Sequence, residues 1–197
     1  MEQTSDFYLT GIPAADALLA GDANAVLLGM VLDQQVTMEK AFSGPAVIAE
    51  RMGGTLDVAA IAAADPAAFA ALCSQPPAVH RFPGSMAGRL QAVARELVEH
   101  WDGRAENLYA AASSGEELKA RITALPGFGA QKAAIFVAVL GKRFGVQPPG
   151  WAEAAGPYGV AGSRVSVADV EDPESLQLVR AAKKAAKAAA RAGHDQE

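Results

Sequence analysis

A proline and two glycines in the segment 125–129, Leu-Pro-Gly-Phe-Gly, could build a binding site from main-chain atoms. Gly127 and Gly129 can adopt the positive φ of a tight turn, and the phenylalanine between them can fill the gap between two helices. The amides of Gly127, Gly129 and Ala130 would then lie at the start of the next helix. Free amides at the positive end of a helix bind phosphate, and Lys132 would add charge. The pattern therefore predicts a phosphate site, with an ordinary turn between helices as the alternative.

The segments on either side of this turn have the patterns of helices. Residues 115–124 repeat apolar positions at helical spacing, and residues 131–143 are apolar almost all round, which predicts a buried helix. Alanine is abundant along the chain, and apolar and polar residues nowhere alternate over a long stretch. With 51% hydrophobic residues, the chain can bury one sizeable core or two small lobes. We therefore predict an all-α fold.

The N-terminal half shows further helix signals. Asp22 is a possible N-cap of a helix ending near Gln35, and Thr37 can cap a second helix, which Gly44 and Pro45 should end. Ser85 is the predicted cap of an amphipathic helix. Further helices are predicted at about 46–52, 57–63, 66–72 and 106–112, with a basic helix at 173–191 and a proline-rich loop at 74–84.

Charge is distributed unevenly along the chain, whose net charge is −5. Residues 1–118 carry six Lys and Arg against 15 acids, whereas residues 119–197 carry 11 against seven. An anionic partner should therefore meet the C-terminal part. The basic helix at 173–191 either contacts that partner or is simply solvated. The one cysteine, Cys73, lies in an apolar pattern typical of a buried thiol, and a single cysteine excludes a four-cysteine iron–sulfur cluster.

Three segments together resemble the helix-hairpin-helix (HhH-GPD) superfamily of base-excision DNA glycosylases. Residues 125–133, LPGFGAQKA, match its hairpin; residues 32–41, LDQQVTMEKA, match its paired-glutamine helix junction; and residues 82–97 match its following amphipathic helix. The resemblance covers about residues 24–145 and is far more specific than any one of the three motifs. It implies a bilobed helical bundle that grips duplex DNA and flips one nucleotide into the cleft between its lobes.

The resemblance also implies roles for particular residues. The hairpin would hold a DNA phosphate through Gly127, Gly129, Ala130, Gln131 and Lys132. Gln35 would fill the space left by the flipped base, the alternative being an exposed residue at a helix end. A monovalent cation, the only cofactor expected, would be held by three backbone carbonyls: Thr123, Leu125 and Phe128.

The sequence departs from the family at both of its usual catalytic positions. The lysine nucleophile of bifunctional members is replaced by Gln131, and Lys132 is turned about 100° away on a helix. A Schiff-base lyase is therefore not expected. The aspartate that active members carry further along falls at Pro149. A carboxylate there would stabilise the developing oxocarbenium ion or orient water.

Two other carboxylates are candidates for that role. Glu153 could enter the cleft if its loop is shifted, with Trp151 or Tyr158 stacking on a flipped base. The alternative is a surface glutamate and a tryptophan that plugs the core. Asp33, beside Gln35, is the second candidate, the alternative being a solvated aspartate at a helix end.

These observations predict a monofunctional DNA N-glycosylase, with alkylated bases, which are good leaving groups, as the expected substrates. The alternatives are a non-catalytic module that binds damaged DNA and, on the acidic net charge, a helical interaction protein without a DNA role. We expect a six-helix lobe at 24–143, a second lobe from 1–23 and 144–191, and a disordered tail at 192–197. The sequence shows neither a signal-peptide pattern nor an apolar run of roughly 18 residues, so we expect a cytoplasmic protein that does not bind membranes. We also expect a monomer that binds double-stranded DNA and, in a bacterium, is associated with the nucleoid.

Overall fold

A computed structural model describes residues 7–194 of the chain, with side chains up to residue 190. Within that range, eleven α-helices and two 3-10 helices form without any strand, which confirms the all-α fold class. The α-helices are α1 (Pro13–Gly21), α2 (Ala23–Leu32), α3 (Met38–Arg51), α4 (Val58–Ala63), α5 (Pro66–Ser74), α6 (Pro83–His100), α7 (Ala105–Ala110), α8 (Gly115–Ala124), α9 (Ala130–Arg143), α10 (Trp151–Ala155) and α11 (Pro173–His194). The 3-10 helices are η1 (Gly156–Tyr158) and η2 (Val167–Asp169).

Side-chain caps fix where the helices beside the hairpin and the glutamine pair begin. The Asp22 carboxylate accepts the amides of Asn24 and Ala25 at the start of α2, and the Thr37 hydroxyl accepts that of Lys40 at the start of α3. Both caps were predicted and both are confirmed.

Two predicted helix boundaries in this half are wrong. Helix α3 continues through Pro45 because Gly44 lies directly against Leu32, so burial of this face outweighs the lost main-chain hydrogen bond. Ser85 does not cap α6, which already begins at Pro83 without a side-chain cap. Proline suits the first turn of a helix because its missing N–H has no partner there.

Helix α2 forms the centre of the core, since every residue from Ala25 to Leu32 is buried. It packs against α3 and α6, while α4 and α5 lie on α6. Helix α9 packs against α8, α10 and η2, so the chain after residue 143 folds back onto α9. Helix α1 packs on α2 and α3. The predicted lobes on either side of residue 143 therefore share contacts, and their boundaries stay a prediction.

A buried ion pair fixes the segment after α10 to α9. The Lys142 ammonium lies 2.6 Å from the Asp169 carboxylate and also donates to the Ser163 hydroxyl and the Val160 carbonyl. The second carboxylate oxygen of Asp169 accepts two main-chain amides ahead of η2, those of Val165 and Ser166. Because both charged groups of this pair are hydrogen-bonded to the 160–169 segment, that segment is held rigidly against α9.

Helix α11 spans two parts of the fold. Its first turns bury Leu176 and Val179 beside η2, and Arg180 pairs with Glu39 in the first turn of α3. The helix runs to His194, so the first half of the tail predicted to be disordered is helical. The last three residues of that tail and the first six of the chain lie outside the described residues.

No single helix between residues 7 and 194 is long and apolar enough to cross a membrane. Helices α1 and α2 reach that length and composition only together, and they meet at 117°.

Candidate functional site

The hairpin between α8 and α9 has the geometry that its glycines predict. The Phe128 amide donates to the Leu125 carbonyl at 3.1 Å, and Gly127 has φ of +80° at the third position of the turn. The first intrahelical bond of α9 runs from the Ala133 amide to the Gly129 carbonyl. The amides at 130–132 therefore lie ahead of the helical ladder at its positive end, where an anion binds.

Lys132 joins this hairpin to the end of α2. Its ammonium donates to the Val31 carbonyl at 3.2 Å and lies 5.4 Å from the centre of the Phe128 ring. Burial lowers the pKa of Lys132 to about 8, against the opposing effect of nearby Asp33. Instead of only adding charge to the hairpin, as predicted, Lys132 thus ties α9 to the last turn of α2.

An open cleft of about 1010 Å³ lies between the end of α2, the hairpin and α11. The residues that line it are Met30, Asp33, Gln34, Gln35, Val36, Thr37, Arg81, Gly127, Gly129, Ala130, Gln131, Lys132, Ile135, Lys183 and Lys187. A smaller cavity of about 320 Å³ adjoins it, walled by Tyr158, Val165, Val167 and Ala182. Asp33, Gln131, Ile135 and Lys183 line both spaces, which therefore lie side by side.

Asp33 is the sole carboxylate among the residues that line the cleft and the adjoining cavity. Its amide closes the end of α2 by donating to Gly29 and Met30 carbonyls. Burial raises the pKa of Asp33, while Lys183 and Lys132 oppose that rise. A carboxyl with a raised pKa, set between cations in a cleft, is typical of a catalytic acid or base.

The paired glutamines after Asp33 have different environments. Gln34 is held in place: its amide nitrogen donates to the Val31 carbonyl and its amide oxygen accepts from Arg89 at 2.6 Å. Gln35 is exposed with φ of +57°, a conformation that is strained for any residue other than glycine. Both residues line the cleft, where the Gln34 side chain is fixed by hydrogen bonds and Gln35 is exposed.

His80 fixes the same turn from behind. The ring is 1% exposed; Nδ1 accepts the Phe82 amide, and Nε2 lies 2.9 Å from the Gln34 carbonyl. An acceptor role for Nδ1 places the proton on Nε2, which donates to Gln34. The neighbouring Arg81 lines the cleft, whereas His80 is buried behind the turn. Phe82, 43% exposed, lies beside Arg81.

Gln131, at the position of the family's lysine, donates to the Tyr158 hydroxyl at 2.9 Å. This bond holds Tyr158, which lines the adjoining cavity. The predicted stacking of Tyr158 on a flipped base stays a prediction.

The turn into α10 keeps Trp151 and Glu153 away from that pocket. The Pro149 carbonyl accepts the Gly115 amide at 2.8 Å, which docks the turn on the start of α8. The Trp151 ring covers Gly141 of α9, leaving no room there for a Cβ. Glu153 is exposed and belongs to the lining of neither the cleft nor the adjoining cavity. The structure therefore has the second of the two predicted alternatives for this segment: Trp151 packs in the core, and Glu153 is a surface residue.

Helix α11 contributes two cleft residues that the sequence did not assign, Lys183 and Lys187. With Arg81 and Lys132 they make four cations against one carboxylate in the cleft lining. A chain with a net charge of −5 therefore carries a basic cleft. The lysine spacing in α11 was visible in the sequence, but its packing against η2 was not.

The remaining predicted positions concern ions and the thiol. The Leu125 carbonyl accepts the Phe128 amide within the hairpin turn, and the monovalent cation expected at the Thr123, Leu125 and Phe128 carbonyls stays a prediction. Between residues 7 and 194, no three His, Cys, Asp or Glu side chains come together as metal ligands. Cys73 is buried, as predicted, and burial raises its pKa to about 11.

Comparison with family models gives a match that covers most of the chain. The model of the HhH-GPD superfamily base excision DNA repair protein matches residues 28–193. That range includes the end of α2, the hairpin and α11, which line the cleft. No curated protein and no solved structure matches the chain.

Proposed function

Because the chain belongs to the HhH-GPD superfamily of base excision DNA repair proteins, we propose that it is a monofunctional DNA N-glycosylase that removes a damaged base from duplex DNA. The observation that carries the proposal is the position of Asp33. Its carboxyl lies in the lining shared by the basic cleft and the adjoining cavity, within the field of Lys132 and Lys183.

In the proposed complex the cleft holds the DNA backbone. A phosphate meets the amides of Gly129, Ala130 and Gln131, with Lys183 and Lys187 on the opposite wall. A monovalent cation on the Thr123, Leu125 and Phe128 carbonyls would add positive charge beneath that phosphate. Gln35 enters the space vacated by the flipped nucleotide, and the exposed Phe82 ring packs on a neighbouring base pair.

The flipped base enters the adjoining cavity. Tyr158 offers an aromatic face there, and Ile135, Val165 and Val167 offer apolar contacts. An aromatic face favours a cationic ring, so an alkylated purine is the proposed substrate class. Such a base already leaves readily, so it needs less catalytic assistance than a neutral base.

Asp33 acts at the sugar. As the glycosidic bond breaks, positive charge develops on the deoxyribose, and a carboxylate at the cavity mouth stabilises it. The same carboxylate accepts a proton from the attacking water, and the raised pKa of Asp33 suits that transfer. The reaction does not pass through a covalent lysine intermediate, because Gln131 occupies the nucleophile position and the Lys132 ammonium donates to a carbonyl of α2.

The absence of both family side chains favours a second candidate, a non-catalytic protein that binds damaged DNA. Gln131 and Pro149 stand at those two positions, and Pro149 is docked on α8.

A single-turnover assay separates the two candidates. Duplex oligonucleotides carrying a methylated purine, uracil, oxidised guanine or an abasic analogue are incubated with excess protein, then treated with alkali and resolved on a gel. Alkali-labile sites in the methylated-purine duplex are expected. Tight binding of the abasic duplex without cleavage of any substrate would instead establish the binding protein.

A further inference from the structure

A buried histidine joins two separate parts of the proposed DNA interface. The His80 ring is 1% exposed, so it is not itself a surface contact for DNA. Its Nδ1 accepts the Phe82 amide at 3.0 Å, and its Nε2 donates to the Gln34 carbonyl at 2.9 Å, across 46 residues of chain. One ring therefore holds both the turn that contains Gln35 and the loop that carries Phe82.

The loop before His80 is fixed by two cations of α3. The Lys40 ammonium donates to the Ala78 carbonyl, and the Arg51 guanidinium donates to the Pro77 carbonyl at 2.8 Å. The main chain just ahead of the histidine is thus bound to a long helix whose one face is buried. The ring is therefore held at a fixed position in the fold and does not follow a loose loop.

The turn that His80 holds contains a strained residue. Gln35 has φ of +57°, and such strain persists only where the surrounding structure over-determines the conformation. Three hydrogen bonds meet at the neighbouring Gln34. His80 donates to its carbonyl, Arg89 donates to its Oε1, and its Nε2 donates to the Val31 carbonyl. These bonds hold the residue before the strained position from its main chain and from both ends of its amide.

The role of His80 rests on the proposed function, in which Gln35 enters the space left by the flipped nucleotide and Phe82 packs on a neighbouring base pair. Among the described residues that bond to Gln34, His80 is the one that also bonds to Phe82. We propose that His80 is a positioning residue that fixes the separation of Gln35 and Phe82, so that the two side chains open the duplex together.

This role differs in its consequences from a merely structural one. A histidine that only stabilised the fold would, when replaced, lower every activity in proportion to the unfolded fraction. A positioning residue instead affects the step in which a paired base leaves the stack, and that step costs least when the base has no partner. Replacement of His80 should therefore impair the opening of a paired lesion more than that of an unpaired one.

Two isosteric variants each keep one of the two hydrogen bonds. In His80→Asn the side-chain oxygen takes the place of Nδ1 and accepts the Phe82 amide. In His80→Gln the side-chain nitrogen takes the place of Nε2 and donates to the Gln34 carbonyl. Loss of the other bond is worth about tenfold in an equilibrium constant. His100→Ala is the matched control, because this exposed histidine lies at the opposite end of α6 from Phe82.

The test follows the fluorescence of 2-aminopurine placed beside a methylated purine in a duplex, which rises when stacking is lost. Both His80 variants of the full-length protein should open the paired duplex about tenfold less than wild type. On a duplex with a gap opposite the lesion they should stay within about twofold of wild type. His100→Ala should match wild type on both duplexes. Equal losses on the two duplexes, or full opening of the paired duplex by both His80 variants, would overturn the role of His80.

A double-mutant cycle tests the joint action itself. In the wild-type background, Gln35→Ala and Phe82→Ala together should lower opening by less than the product of their separate effects. In the His80→Asn background the two effects should multiply. Multiplication in both backgrounds would show that the two side chains act independently, which contradicts the proposal.

Failure of the proposed function gives a different result. Wild type that opens neither duplex would overturn the DNA site and, with it, the role of His80. Because opening is measured without excision of the base, the comparison of the His80 variants decides their role equally for a glycosylase and for a non-catalytic binding protein.

Discussion

The end of α2 and the start of α10 each carry a carboxylate that the sequence indicates as a candidate for catalysis, but the two side chains have different environments in the fold. Asp33 lies in the wall of the basic cleft, and its pKa is raised by burial. Glu153 is exposed on a five-residue helix whose preceding turn is docked on α8. Sequence distance from the hairpin favours Glu153, 24 residues beyond Gly129, over Asp33, which precedes it by 96. The comparison shows that helix packing, not proximity along the chain, decides which of the two carboxylates lies in the cleft.

The largest expected effect separates the two carboxylates directly. Asp33→Asn should lower single-turnover base excision by about 10²- to 10⁴-fold, the range expected when a general base is lost. Its backbone cap on α2 is retained, so binding to an abasic duplex should stay within about threefold of wild type. Excision rates and binding are both measured on the same oligonucleotides.

Glu153→Gln is the matched control, with an excision rate within about twofold of wild type. The Asp33 variant should also be at least as stable as wild type at neutral pH. A raised carboxyl pKa means that ionisation in the fold costs stability as pH rises, and asparagine avoids that cost. If Glu153→Gln loses activity while Asp33→Asn keeps it, the assignment is reversed.

The second effect concerns Lys132, which joins the Asp33 side of the cleft to the hairpin. The pKa of Lys132 is about 8 in the folded protein and 10.5 in the unfolded chain, so between pH 8 and pH 10.5 the unfolded chain binds more protons than the folded protein. The contribution of Lys132 to stability therefore rises with pH across that window. Relative to Lys132→Met, wild type should gain roughly 1 to 3 kcal/mol between about pH 7 and pH 10. Urea unfolding of both proteins at each pH measures this, and parallel pH profiles would show that the ammonium is not buried.

A third effect tests the hairpin beside Asp33. Gly127→Ala should cost about 1 to 2 kcal/mol because alanine is strained at φ of +80°. Displacement of the amides should weaken duplex binding roughly tenfold. Gly129→Ala is the control for backbone strain, since its φ is −91° and a Cβ there meets open space, as at Gly127. Thermal melts of the two variants should differ; identical losses of stability would mean that space, not the positive φ, matters. Titration of Gly127→Ala with duplex DNA measures the effect on binding.

The smallest effect concerns the wall of the cleft opposite the hairpin. Lys183→Gln and Lys187→Gln should each weaken duplex binding a few-fold and reduce the slope of log K against log salt by about 0.9. Lys184→Gln, one residue along the same helix but outside the cleft lining, should leave the slope unchanged. Binding titrations at several salt concentrations decide it. Equal slopes for all three variants would show that the lysines of α11 are solvated and do not contact DNA phosphates.

The local features of this protein could be predicted from its sequence. The hairpin turn, the caps at Asp22 and Thr37 and the buried helix after the turn each depend on residues a few positions apart. The prediction that α3 ends at Pro45 is wrong because the contacts of the neighbouring Gly44 with Leu32 outweigh the local tendency of proline to end a helix.

The composition of the site could not be predicted in the same way. Lys183 and Asp33 are 150 residues apart in the chain, and their electrostatic contact exists only because α11 packs beside η2 and pairs with Glu39. The role of His80 likewise depends on a turn 46 residues earlier. Sequence patterns locate helices and caps, whereas the charges that face one another are decided by packing between distant elements.

The basic cleft on an otherwise acidic molecule also affects how the protein meets a charged polymer. Four cations gathered on one side of a chain with a net charge of −5 give the molecule an electric dipole whose positive end is the cleft. Near DNA, that dipole turns the cleft towards the phosphates, while the acidic remainder is repelled. A molecule oriented this way meets DNA mostly with its cleft, so fewer of its encounters involve the acidic faces.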